Sequence, residues 1–153
     1  MNLRKVWLVL SALVVLGGAV PVVADTLALA PHFRNDPIRL RGTAAGNEPV
    51  ARLAGNAGRC RGFAPAQPHH TLVLQDAMFL DVLAYGDDPQ ADVTLLVRGA
   101  DGTVWCADRE YRGRSPQIAR RRFAPGTYQI WVATGEANRP TPYTLSLSEF
   151  PQR

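Results

Sequence analysis

From Thr71 to Ser148 the chain falls into short runs in which apolar and polar residues alternate with a period of two, each closed by residues that turn the backbone. Such alternation puts successive side chains on opposite faces of an extended strand, and no helix turns it into one buried face. The runs are Thr71 to Gln75, Phe79 to Tyr85, Asp92 to Arg98, Thr103 to Ala107, Gln117 to Phe123, Thr127 to Ala133 and Pro142 to Ser148. Gly86-Asp87-Asp88-Pro89, Gly99-Ala100-Asp101-Gly102 and Ala124-Pro125-Gly126 lie between them, and Asp-Gly between two such runs is a hairpin signal. No stretch after residue 24 shows a helical period. Seven or eight short strands at this spacing predict an all-β sandwich, with a closed barrel as the alternative.

The alternation also assigns faces. Leu80, Val82 and Ala84 oppose Phe79, Asp81, Leu83 and Tyr85, while Tyr143, Leu145 and Leu147 oppose Thr144, Ser146 and Ser148. The second pattern predicts a sheet with one wet face. Trp131 alternates away from Tyr128, Ile130 and Val132, so that strand is expected to be covered in part on both faces. Asp25 to Arg59 is loosely patterned and rich in Ala, Gly, Pro and Asn. It reads as a lead-in arm with one edge strand at Ile38 to Gly42, ahead of a domain spanning residues 60–153.

The first 24 residues have a separate logic. Arg4 and Lys5 precede an apolar run from Val6 to Ala19, and Val22-Val23-Ala24 offers small residues ahead of Asp25. This is the order of a cleavable secretory signal, which predicts Asp25 as the mature N-terminus. Gly17, Gly18 and Pro21 argue against an uncleaved anchor, so no membrane span is expected after cleavage. No cysteine follows the cleavage site and there is no twin arginine, so the lipoprotein and twin-arginine routes are excluded. Cleavage leaves 129 residues, enough for one domain with an ordinary core. It also removes two of the 17 basic residues, which leaves 15 against 13 acidic ones, a mild excess that argues against nucleic acid as a partner. A secreted protein, periplasmic or extracellular, is the expectation.

In an oxidising compartment the isolated pair Cys60 and Cys106 is most simply a disulfide. There is no Cys-x-x-Cys, and no histidine sits at ligand spacing from either cysteine, so redox exchange and metal ligation are disfavoured. Trp105 is expected to pack over the bridge.

Read in order, Cys60-Arg61-Gly62-Phe63, Pro68-His69-His70-Thr71-Leu72, Asp92-Val93-Thr94-Leu95, Trp105-Cys106-Ala107-Asp108, Ser115-Pro116-Gln117-Ile118, Pro125-Gly126-Thr127-Tyr128-Gln129-Ile130-Trp131-Val132 and Tyr143-Thr144-Leu145 form one constellation. It resembles the bacterial pre-peptidase C-terminal domain family over about Cys60 to Ser148. The Pro-Gly-Thr-Tyr-x-Ile-Trp-Val block followed by Tyr-Thr-Leu is its most specific part. The resemblance implies a jelly-roll-like β-sandwich and an exported accessory role, but no reaction. Relatives often carry paired acidic residues after the second cysteine, whereas this chain reads Ala107-Asp108-Arg109-Glu110.

Three groups of side chains are candidate sites. Asp87, Asp88, Asp92, Asp108 and Glu110 would be the calcium ligands if their loops converged, since Ca²⁺ takes 6 to 8 oxygens. Solvated turn acids are the favoured reading, and no cofactor is expected. Arg109, Arg112, Arg114, Arg120, Arg121 and Arg122 crowd into fourteen residues opposed only by Glu110. Such a group could hold phosphate or carboxylate through guanidinium forks, or it could be a solvated strand edge that discourages pairing. His69 and His70 follow Pro68 at a strand entrance, where adjacent side chains diverge, and read as surface turn histidines.

Nothing points to catalysis. The serines after residue 24 are Ser115, Ser146 and Ser148, and none lies in a Gly-x-Ser-x-Gly elbow. The expected function is a non-enzymatic binding or accessory module of the envelope or extracellular space. Its partner would be an envelope or extracellular protein, or an anionic glycan held by the arginines. An inhibitor or immunity-type protein that plugs another protein's site is a further alternative.

Overall fold

A computed structural model describes residues 25–55 and 59–153, and residues 1–24, where a secretory signal is expected, lie outside the described residues. The described chain forms two packed β-sheets and a single helical turn. The larger sheet contains β1 (Asp25–Leu29), β3 (Glu48–Pro49), β4 (Phe63–Ala64), β5 (His70–Leu74), β7 (Val93–Gly99), β8 (Val104–Ala107) and β10 (Gly126–Thr134). The smaller sheet runs β2 (Ile38–Ala44), β11 (Thr141–Ser148), β6 (Met78–Gly86), β9 (Gln117–Phe123). This is a β-sandwich, as the alternation predicted.

The seven alternating runs are β5 to β11, each matched to within a residue or two. The extra strands come from the lead-in segment and the residues after Cys60. Besides the expected edge strand β2, the lead-in supplies β1, which pairs parallel to β5, and β3, which pairs with β4. An edge of each sheet is therefore built from residues ahead of Cys60. At the predicted hairpin, β7 and β8 pair antiparallel around Asp101, whose carboxylate accepts hydrogen bonds from the Thr103 amide and hydroxyl, both at 2.9 Å.

The core between the sheets holds Leu72, Leu80, Val82, Leu95, Val97, Ile130, Val132, Leu145 and Leu147. Trp105 joins it at one end, 4.5 Å between ring centroids from Phe123 and stacked on Tyr128. The expectation that Trp105 covers the disulfide is corrected: alternation along β8 sends Cys106 to the opposite face, where it packs in a second cluster.

That second cluster explains Trp131. The indole is 1 % exposed on the outer face of the larger sheet, beneath Val50 and Ala54 of the helical turn α1 (Val50–Leu53) and its exit, with Cys60 and Leu96 beside it. The strand β10 is thus covered on both faces. The Cys60–Cys106 disulfide, with its Cα atoms 5.3 Å apart, ties this outer layer to β8.

The wet face expected for β11 is not wet. Thr144, Ser146 and Ser148 are buried: the chain after β11 folds back over the two serines, and the Thr144 hydroxyl donates to Asp87. The Gln152 amide donates to the Asp81 and Ser146 carbonyls and to the Asp81 carboxylate, Gln117 donates to the same carboxylate, and the Ser146 hydroxyl donates to Gln152 at 2.6 Å. Polar alternation marks hydrogen-bonding capacity, and here the partner is the chain's own tail rather than water.

Candidate binding surface

β9 is an edge of the smaller sheet and carries Arg120, Arg121 and Arg122. Its pairing with β6 shifts register between Leu80 and Val82, and Arg120 sits at φ +32°. A bulge of this kind adds a residue to one strand and bends it. It places three successive arginines in solvent between the buried Ile118 and Phe123. Arg122 is paired with Phe79, which is 48 % exposed, and the Arg120 guanidinium lies 5.3 Å from the centre of that ring. None of the three has a carboxylate within ion-pair distance among the described residues.

The other arginines of the run are engaged differently. Arg109 lies 3.5 Å from Asp92 and 3.8 Å from Asp108, so its charge is offset locally. Arg112 stacks over Tyr111 at 5.1 Å, and Arg114 is exposed in the same turn. The six arginines therefore divide into an offset or stacked loop group and an unpaired edge trio.

The acidic residues are largely occupied from within the chain. Asp108 pairs with Arg61, Glu110 accepts from the amides of Asp108 and Gln117, Asp87 accepts from the Thr144 hydroxyl, and Asp88 accepts from the Gln90 amide. No group of three or more His, Cys, Asp or Glu side chains is placed to hold a metal among the described residues.

The histidines need the largest revision. They are not surface turn residues: His70 is 3 % exposed, and both rings stand edge-on to Tyr143, at 5.6 Å for His69 and 5.9 Å for His70. His69 precedes the first residue of β5, so strand alternation does not govern it. Its amide donates to the Ile130 carbonyl, while its Nδ1 accepts from the Val132 amide at 3.3 Å. β5 ends its pairing with β10 at Ile130 and β4 begins at Thr134, so the ring fills a gap in the ladder. Nδ1 must be an unprotonated acceptor to do so, and burial, with His70 adding to it, lowers the His69 pKa to about 4 against an opposing contribution from the Thr43 backbone.

His70 Nε2 lies 2.8 Å from the Tyr143 hydroxyl, which links the two sheets. Burial lowers the basicity of His70, with Asp25 partly offsetting it, and raises the Tyr143 phenol well above its ordinary range. Both groups are neutral near pH 7 and form a hydrogen-bonded brace. Gly42 stands opposite Tyr143 on β2, and a Cβ there would fall 2.5 Å from the phenol oxygen. The Pro68-His69-His70 run was visible in the sequence, but its link to Tyr143 joins residues 73 positions apart and carried no local signal.

The chain is therefore a disulfide-tied β-sandwich whose side chains offer an arginine edge and a histidine-tyrosine brace. It is similar to a crystal structure of the pre-peptidase C-terminal domain of a collagenase from Bacillus anthracis, at 15 % identity, 86 % coverage of this chain, 100 % coverage of that chain and a TM-score of 0.49. No protein-family model matches the chain, and no curated protein matches it.

Proposed function

We propose that this chain is an exported, non-catalytic accessory domain of the envelope or extracellular space that holds anionic groups on the β9 edge. The observation that carries this reading is Arg120, Arg121 and Arg122, solvent-exposed on an edge strand without a carboxylate partner among the described residues, beside a half-exposed Phe79. Guanidinium groups bind phosphate, sulfate and carboxylate through paired hydrogen bonds. The charges and the bulge oppose pairing with another strand, so a ligand would meet side chains rather than a backbone ladder. Phe79 adds an apolar surface for a ring or chain next to the anion. Acidic glycans and acidic protein segments have this chemistry.

Export rests on the charged, apolar and small-residue order of residues 1–24, and the disulfide is consistent with it. Two experiments test the reading. The mature protein recovered from an extracytoplasmic fraction should begin at Asp25 by mass spectrometry. Titration with a sulfated oligosaccharide should shift the amide resonances of Phe79 and residues 119–122, with weakening as salt rises. Retention of the uncut chain in the cytoplasm would overturn export, and no shift at those amides would overturn the binding edge.

A further inference from the structure

On the opposite edge of the smaller sheet from β9, a cavity of about 730 Å³ opens where β2, the Pro65 to His70 segment and Tyr143 meet. That volume lies in the range of small-molecule sites. Pro65 and Pro68 give it apolar faces, while Asp25, Arg41, Gln67 and His70 give it polar ones. Asp25 and Arg41 have no ion-pair partner among the described residues. His70 also lines the cavity, and its Nδ1 is buried with no hydrogen-bond partner among the described residues. An orphaned buried polar atom is costly, so its presence beside a cavity calls for a partner.

We infer that this cavity is a binding site for a neutral sugar, separate from the arginine edge. The Asp25 carboxylate offers acceptors, Arg41 and the α-amino group that Asp25 carries in the processed chain offer donors, and Gln67 offers both. A set with both senses and both signs of charge suits vicinal hydroxyls better than a single anion or cation. The state of His70 strengthens the choice. If the Tyr143 hydroxyl donates to Nε2, Nδ1 carries the proton and needs an acceptor; if Nε2 donates to the phenol oxygen, Nδ1 is a bare acceptor. A hydroxyl group that reached the buried Nδ1 through a shift of the ring would satisfy either case, whereas a carboxylate would satisfy only the first. The C–H faces of a pyranose would lie on Pro65 and Pro68.

The test is an NMR titration of the processed protein with glucose, N-acetylglucosamine and cellobiose, with free leucine as a zwitterionic comparator. At least one sugar should shift the Gly42, Gln67 and His70 amides, and Arg41→Ala and Gln67→Ala should each weaken that binding roughly tenfold, the effect of about one lost hydrogen bond to the ligand. Arg41 and Gln67 are exposed, so both variants should keep the wild-type melting temperature. The triple change Arg120→Ser, Arg121→Ser, Arg122→Ser should leave sugar binding unchanged. Silence of those amides with all three sugars, shifts with leucine alone, or sugar binding that survives both cavity variants would overturn the inference. Loss of sugar binding in the β9 variant would assign the sugar to the arginine edge and likewise overturn it.

Discussion

Two residues with little to distinguish them in the sequence, Gly42 and His69, hold one end of the sandwich in register. Gly42 is the only kind of residue that fits beneath the Tyr143 phenol, because any Cβ would meet its oxygen at 2.5 Å. Gly42→Ala should displace the ring, break the bond to His70 and destabilise the fold by about 1–3 kcal/mol, read as a lower urea midpoint. Tyr143→Phe should cost a similar amount by leaving His70 Nε2 buried and unpaired. His69 sets the pH response. It ionises near pH 6.5 in the unfolded chain and near 4 when folded, so between those values the unfolded chain binds the extra proton. Stability should therefore fall as pH drops from about 6.5 to about 4, by about 3 kcal/mol in total, with His70 acting in the same direction. Urea unfolding at pH 7 and pH 4.5 checks this, and His69→Gln should flatten the profile; an unchanged slope would contradict the role given to the ring. At this scale the sequence showed the residues but not their partners, because Val132, Tyr143 and Thr43 reach the histidines only through tertiary folding.

Among the elements, β5 to β11 were legible because each buries one face and turns sharply at Gly, Pro or Asp, so period and punctuation agree. β1, β3 and β4 were not, since a parallel edge strand and two two-residue strands owe their existence to the strands beside them. The outer faces were harder still. Alternation along β10 required a cover for Trp131 without naming it, and the cover is α1 with the segment that carries Cys60. The same alternation along β11 misled, because the serines that signal solvent are satisfied by Gln152 and a neighbouring network. The disulfide is the covalent part of the Trp131 cover. Its loop of 46 positions corresponds to about 4 kcal/mol in the chain-entropy account. Replacing both cysteines by serine should lower the urea midpoint accordingly and shift tryptophan emission to the red as Trp131 loses its shield. Unchanged emission in the folded variant would show that α1 alone protects the ring.

For the whole molecule, the arrangement separates the candidate sites. The arginine edge and the histidine-lined cavity lie at opposite edges of the smaller sheet, with β11 and β6 between them. The sequence located the arginines, but not which of them lack a carboxylate partner: Arg109 is matched by Asp92 and Asp108, and only the fold shows that Arg120 to Arg122 have no ion pair among the described residues. A chain beginning at Asp25 would carry a net charge of about +2, so general basicity would give little affinity and position has to matter. The measurement that tests this most directly is the salt concentration at which the processed protein elutes from an anionic resin, compared across two variants of equal net charge. One carries serine at Arg120, Arg121 and Arg122; the other carries serine at the exposed Arg34, Arg39 and Arg59. A β9 binding edge predicts that the first elutes far earlier than wild type while the second stays close to it. Equal losses in both variants would reduce the arginines of β9 to ordinary surface charge and contradict the account.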